Sequence, residues 1–471
     1  VVVRLPKLDQ CEGEDVVHEE PEPVNAAARA QLVVIRDQLS LADAFERAGR
    51  LSEAQATAEQ AVEQARRSGG ISAILEATLA KGRIQTLAYE FAGARGTLAE
   101  AERLALEQRQ LRAAVVAGAR RIYAEGMLGM DFSRIAEHVD LLEPLSYSLQ
   151  EDHFARPLLL NYVGVVEMAR GERVKALQRF EAAKLSLVNI DVRDRELIDI
   201  DMNLAMITEV RATRETLART AWERFRDQLG PHHIATLAEQ CRYAHYVGDP
   251  VVALALVHDA DEIYRQYHRD RLFDWSICAS FQAFLMTEVG HSSEADRAVA
   301  MYEEVAAVAT RTTGLYVTSR AKLASGHVDL LRARPRSALA HFEEVIVQFA
   351  PSGNWWDQQL VAEGRLGAGL AEEMLGNDPA PTAPRDRAAR MVRATAQLER
   401  AAAILEDLTM RNEDLEPRQR LALARLSLAR ILRRADKGSS DRSRQLEAQA
   451  AAFYRGANAA AYRRYLDALP H

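Results

Sequence analysis

The stretch Gly164–Ala183, GVVEMARGERVKALQRFEAA, decides the fold. An apolar run at helical spacing breaks off at Gly171, a residue that enters the left-handed region without steric cost. Five residues later comes Ala176, then Phe180 and Ala183, spaced four and three apart on one face of a second helix. Seven residues before the turn stands Gly164, small enough to admit the second helix. The same sentence recurs in ADAFERAGRLSEAQATAEQAV (42–62), YAHYVGDPVVALALVHDA (243–260) and DLLRARPRSALAHFEEVI (329–346). Helix, tight turn and helix therefore repeat along the chain.

Turn positions follow in order at Gly49, Tyr89, Met130, Gly171, Thr213, Gly248, Gly290, Ala333 and Gly376, with gaps of 40, 41, 41, 42, 35, 42, 43 and 43 residues. This is the grammar of tetratricopeptide (TPR) arrays, in a form longer than the minimal repeat of ~34 residues. Small or apolar residues sit five places after the turn, at Ala54, Ala94, Ile135, Ala176, Ala218, Ala253, Ala295 and Ala338. Seven places before it stand Ala42, Gly82, Cys241, Ala283, Gly326 and Gly369. Glycine within a helix costs roughly 1 kcal/mol relative to alanine, so its return at one register points to a steric need. The pattern predicts an all-α, right-handed TPR-type solenoid of nine to ten helical hairpins.

Composition agrees. The 471 residues are 48% hydrophobic and include only 14 prolines, which suits a nearly all-helical chain whose core grows in one dimension. A net charge of −8 argues against nucleic acid as the main partner. No apolar run reaches the ~18 residues of a membrane span, and no signal-peptide pattern is visible. The first residue is Val rather than Met, as in a piece of a longer polypeptide.

Residues 1–24, with CEGEDVVHEEPEP, read as an acidic extended lead-in, 25–376 as the repeat array, and 377–386 as a Pro-rich loop on its rim. Further repeat-like pairs fill 387–456, among them helices at 416–435 and 441–456, and a capping helix closes the chain at 457–471. The arginines of 416–435 alternate with leucines, which reads as a helix with a basic outer face; contact with the acidic lead-in of a second copy makes self-association a further expectation.

The sequence holds no Walker-type glycine loop, HExxH, CxxC or GxSxG, so neither a catalytic residue, a metal nor a cofactor is expected. His232 and His233, in LGPHH, read as an inter-repeat turn with Pro231 opening the next helix. Cys241 and Cys278 read as buried structural thiols, and Cys11 as a buried contact. Function is expected on the concave face, lined by the first helix of each pair. The register puts Asp43, Glu46, Arg47, Glu76, Arg83, Arg120, Asn161, Arg242, His245, Arg320, His327, Glu363 and Glu373 there. Asparagine pairs with peptide backbone and arginine grips carboxylates, so Arg83, Arg120, Asn161, Arg242, His245, Arg320 and His327 are the candidate partner-binding set. Trp355 and Trp356 are a candidate exposed anchor, weighed against helix-start residues packed on the previous repeat. No adjacent repeats carry the Lys/Asn set with which chaperone-binding TPRs clamp a terminal carboxylate.

The opening LPKLDQC, its acidic stretch and the repeat array that follows resemble the region after the catalytic domain of large bacterial serine/threonine protein kinases. LGPHHIATLAEQCRYAHYVGDPVVALAL, at ~42-residue spacing, is similar to the links of kinesin-light-chain-like repeats, and QLEAQAAAFYRGANAAAYRRYLDAL resembles the terminal helices of such proteins. The kinase hallmarks themselves are absent, so the resemblance implies a regulatory, non-enzymatic scaffold that signals to an effector outside these residues. It implies a protein or peptide ligand on the concave face and a cytoplasmic location, or a periplasmic one where a membrane segment separates kinase from repeats. The alternatives are the sensor arm of a bacterial transcription activator and a free-standing scaffold or peptide receptor.

Overall fold

The computed structural model describes residues 26–458 apart from 69, 150–151, 189, 191, 193, 209, 268–271, 290–291, 308–314, 352–354, 379–383, 412–414 and 436–440. The expected lead-in with Cys11, and the capping helix beyond residue 458, lie outside the described residues.

The hairpin turn is the element that builds everything else. At Gly49, Tyr89, Gly171 and Ala333 the backbone enters the left-handed region, with φ of 73°, 61°, 82° and 53°. Each time two amides close back on the ending helix. Gly49 N donates to Glu46 O at 2.9 Å and Arg50 N to Phe45 O at 2.8 Å; Ala333 N donates to Leu330 O at 3.0 Å and Arg334 N to Asp329 O at 2.7 Å. This is the Schellman geometry that stops a helix and reverses the chain.

Among the described residues the result is twenty helices and no strand. The first five pairs are α1 (Ala26–Arg47) with α2 (Leu51–Ser68), α3 (Ile71–Leu87) with α4 (Phe91–Glu107), α5 (Leu111–Met127) with α6 (Phe132–Tyr147), α7 (Ala155–Ala169) with α8 (Arg173–Leu185), and α9 (Arg195–Ile207) with α10 (Arg211–Leu229). The second five are α11 (Ile234–Tyr246) with α12 (Pro250–Tyr267), α13 (Leu272–Val289) with α14 (Ser292–Ala307), α15 (Leu315–Leu331) with α16 (Pro335–Phe349), α17 (Trp355–Asn377) with α18 (Pro384–Arg411), and α19 (Leu415–Ala435) with α20 (Asp441–Asn458). The architecture is an all-α TPR-type solenoid of ten hairpins. It divides into two compact units, Val1–Val166 with Leu185–Ile190, and Glu167–Lys184 with Asp191–His471.

The small-residue registers do what sterics demanded of them. Ala54, Ala94, Ala176, Ala218, Ala253 and Ala338 are all fully buried, whereas the side chain of Ala295 lies outside the described residues. A Cβ on Gly82 would stand 2.5 Å from Leu98 Cδ2, one on Gly326 2.6 Å from the Phe342 ring, and one on Gly369 2.6 Å from Leu398 Cγ. In each case the large residue comes from the second helix of the same pair.

Four local expectations are corrected. The fifth turn lies between Ile207 and Arg211, not at Thr213. Arg214, fully buried, explains the shift: its Nε and Nη2 donate to Thr208 O at 3.0 and 2.6 Å, holding the end of α9. The third turn centres on Gly129 (φ 66°) rather than Met130. Gly376 stays inside α17, where a Cβ would meet Met391 Sδ at 2.6 Å, so it serves close approach rather than chain reversal. Finally α11 opens after His233, not at Pro231, because the His233 Nδ1 accepts from Ala235 N at 3.1 Å and caps the helix.

Candidate partner-binding faces

First helices of successive pairs contact one another within each unit, and so form its inner wall. In the first unit the wall is closed by side chains from its own chain. Arg83 of α3 pairs with Asp43 and, at 2.8 Å, with Glu46 of α1. Arg120 of α5 is only 5% exposed, with its guanidinium 5.9 Å from the Phe154 ring centre. Asn161 of α7 is 0% exposed. Tyr123 stacks on Tyr162 at 4.6 Å, filling the space between α5 and α7. Arg120 and Asn161 therefore stand inside the array rather than on a solvent-facing wall. Helical register shows which residues share a face, but burial depends on how closely the next repeat approaches.

In the second unit the inner walls of α11, α13, α15, α17 and α19 converge. His245 of α11 stacks on Phe281 of α13 with centres 3.8 Å apart, and its Nδ1 lies 3.3 Å from Glu416 Oε2 of α19. Arg420, one turn on, donates to Glu416 Oε1 through Nε at 3.1 Å and Nη2 at 2.6 Å. Its Nη1 reaches Glu363 Oε1 of α17 at 3.1 Å, and the guanidinium lies 4.6 Å from the Phe284 ring centre of α13. Glu363 Oε1 is also 2.8 Å from His327 Nε2 of α15, whose ring stacks on Tyr302. His245, Glu416, Arg420, Glu363 and His327 thus form one continuous chain of contacts. Arg320, half-buried on α15, lies near enough for its charge to act on both His245 and Glu363.

The electrostatics follow from burial and neighbours. Burial pushes the His245 imidazole down to about 4 against the pull of Glu416, so the ring is neutral at pH 7 and its contact with Glu416 is not an ion pair. Burial alone would raise the Glu363 carboxyl, but Arg420, His327 and Arg320 hold it down at about 2. Burial works against the Arg420 charge, and Glu363 and Glu416 more than restore it. Arg242 turns away from this chain of contacts, with Nη1 2.9 Å from Asp199 of α9 and 3.1 Å from Glu239. Burial lifts Glu239 to about 8 even beside Arg242, so it carries a proton at neutral pH.

Of the candidate set, then, His245 and His327 are brought into one network with Arg320 at its edge, while Arg83, Arg120, Asn161 and Arg242 serve contacts elsewhere. Glu416 and Arg420 escaped the sequence reading, which took the α19 arginines for a basic outer face. That reading is corrected at one position: Arg420 is buried inward, while Arg430 and Arg434 stay exposed; Arg425 pairs with Glu406 at 2.8 Å, Arg430 with Glu373 at 2.9 Å, and Arg433 with Glu447. The arginine–leucine alternation gave no hint, since it marks an amphipathic helix without saying what its polar face meets. Trp355 and Trp356 open α17, and their side chains lie outside the described residues.

Cys241 of α11 and Cys278 of α13 are buried as expected, but they are joined in a disulfide with Cα atoms 5.5 Å apart. The bond sits one turn from the His245–Phe281 stack. Its two cysteines are 37 residues apart, and only the stacking of one repeat on the next makes them neighbours. Among the described residues no three His, Cys, Asp or Glu side chains gather as a metal site, and no helix is long and apolar enough to cross a membrane.

No protein-family profile matches this chain, and no curated protein does. Several solved structures resemble it. A Rap protein, solved in complex with competence and sporulation factor, is 13% identical with a TM-score of 0.46, over 77% of this chain and 99% of that one. Yeast Tom70 is 13% identical with a TM-score of 0.35, over 92% of this chain and 94% of that one. Cut9, solved with Hcn1 as the APC/C hetero-tetramer, is 13% identical with a TM-score of 0.33, over 92% of this chain and 90% of that one.

Proposed function

We propose that this chain is a protein–protein interaction scaffold, the non-catalytic regulatory array attached to a bacterial serine/threonine kinase, in which partner binding is passed to an effector outside these residues. The observation that carries the scaffold reading is the succession of twenty helices among the described residues, in which, within each unit, consecutive helices pack on one another. Such a succession offers many equivalent positions, which suits recognition of a chain-like partner. The kinase attachment rests on LPKLDQC, the long-repeat link at LGPHH and the terminal QLEAQAAAFYRGANAAAYRRYLDAL. Cross-linking in the native host with this chain as bait tests the scaffold reading: cross-links from one recurring protein should cluster on first helices of the pairs. Turnover by the isolated chain, abolished by an inner-face substitution, would overturn it. Sequencing the reading frame upstream tests the kinase link; a helix-turn-helix or NTPase module there would move the function to transcription control.

Of the two locations the sequence allows, the Cys241–Cys278 disulfide favours the extracytoplasmic one, since disulfides persist in oxidising compartments. A compartment-specific thiol-labelling experiment on cells decides this: label entering Cys241 and Cys278 before any reductant is added would place the chain in the cytoplasm.

A further inference from the structure

We propose that the inner wall formed by α11, α13, α15 and α17 is a docking seat for a partner's amphipathic helix, and that the first two turns of α19 occupy it by mimicry. The partner's helix presents a leucine, an adjacent acid and an arginine four residues beyond the acid. This rests on the scaffold reading above and names the chemistry of the partner.

The argument starts from how α19 divides. Leu421, Ala424, Leu428 and Ile431 pack with Ala394, Leu398 and Leu405 of α18, as any first helix of a repeat packs on its predecessor. Leu415, by contrast, belongs to the apolar core built by α9 to α15, which includes Leu237, Cys278 and Phe281 and against which Phe453 of α20 also packs. Glu416 and Arg420 continue the same reach, to His245 of α11, Phe284 of α13 and Glu363 of α17. A first helix of a TPR array touches its sequence neighbours; α19 also contacts α11, four pairs earlier. The Leu415, Glu416 and Arg420 side of its first two turns therefore behaves as a ligand of the inner wall, while Leu421 and the residues after it behave as part of the array.

The seat is chemically specific. It offers an apolar socket for the leucine, a neutral imidazole for the acid, and an aromatic face with a carboxylate behind it for the arginine, which engages guanidinium by stacking and by charge together. The fit of the chain's own helix is incomplete. Gln419, in the same two turns, is fully buried and neither atom of its side-chain amide has a hydrogen-bond partner. A buried unpaired amide weakens docking, so a partner with an apolar residue at that position binds better than α19 does. An occupant that is specific yet improvable is one a partner can displace.

The test uses the full chain and a fluorescein-labelled peptide of residues 412–425, NEDLEPRQRLALAR. The wild-type chain should bind it weakly, because its own α19 competes. The Glu416→Ala/Arg420→Ala chain, which loses one charge of each sign, should bind it at least ~10-fold more tightly. A peptide carrying those two substitutions should lose the gain, and a Q419L peptide should bind ~5-fold more tightly than the parent. A double variant with wild-type helicity and no gain in peptide affinity overturns the proposal. Self-association of that variant into a swapped dimer also overturns it, by assigning the seat to a second copy. Should the variant fail to fold, hydrogen exchange of the wild-type chain decides: excess Q419L peptide should speed exchange at residues 415–422 and leave 426–432 unchanged, and no change at 415–422 overturns the proposal. The scaffold reading survives such a failure, because host cross-links to other first helices are measured independently.

Discussion

Gly326 lies mid-helix in α15, where alanine would ordinarily be preferred by roughly 1 kcal/mol. Its missing Cβ is replaced by the Phe342 ring, 2.6 Å from where that atom would stand. Overpacking of this kind costs typically 1–3 kcal/mol, so Gly326→Ala should be net destabilising despite its helix propensity. Urea denaturation checks this, with a lowered midpoint at unchanged m-value. A second residue-scale prediction concerns Glu239, faced by Arg242, Asp199, Arg195 and Asp274 and raised from 4.5 to about 8. Between those values the unfolded chain releases the proton and the folded chain keeps it. The stability held by this group is therefore full below pH 4.5 and lost as pH rises toward 8. Glu239→Gln removes that loss. Its stability relative to wild type should climb between pH 5 and 8, by on the order of 1–3 kcal/mol, read from thermal melts across that range. Both residues were visible as positions: Gly326 by its register, Glu239 only as an unremarked neighbour of Arg242. What Gly326 touches was inferable from repetition; the burial that protonates Glu239 was not.

Among the elements, α11 and α13 are the pair tied covalently. Closing a loop of 37 residues removes chain entropy from the unfolded state worth about 3–4 kcal/mol in the loop-closure account. Cys241→Ala/Cys278→Ala should lower the melting temperature accordingly, and intact-mass measurement before and after reduction should show a gain of two hydrogens in the wild type alone. A melt unchanged by the substitutions would contradict a structural role. The sequence placed Cys241 on a small-residue register and read it as a buried thiol, which is right about burial and silent about partner. Cys278 holds a different register, and two registers meet only when the stagger between repeats is known. For the same reason the amphipathic pattern of α19 over 416–435 places Arg430 and Arg434 toward solvent, as a basic outer face requires, and misses that Arg420 turns inward. An amphipathic pattern assigns a polar face, and what covers that face depends on elements far away in sequence.

Across the second unit, the inner network of His245, Glu416, Arg420, Glu363 and His327 links α11, α15, α17 and α19. Removing a partner from a buried charge network leaves the others uncompensated, at a cost of ~3–5 kcal/mol. Arg420→Ala should therefore destabilise this unit by ~3 kcal/mol or more, measured as a lower urea midpoint. Added salt should do little to the wild-type value, since buried pairs are weakly screened. In the first unit, Asn161→Ala should cost stability, ~1–3 kcal/mol for a buried polar group lost. It should leave partner affinity unchanged, because the side chain is 0% exposed. Weaker capture by folded Asn161→Ala would return that residue to the binding surface.

By itself the sequence determined the period, the turns and the close-contact positions. These are local properties: left-handed caps need glycine or a tolerant substitute, and a helix that must approach another within a few ångströms needs a small residue at one register. Those requirements are written into neighbouring residues and repeat, so repetition made them readable. Only the tertiary structure decided which inner-face residues meet solvent, that Cys241 finds Cys278, and that α19 reaches back to α11. Each of these depends on rise and rotation from one repeat to the next. Small differences in them accumulate over four pairs into the choice between an open wall and a closed one.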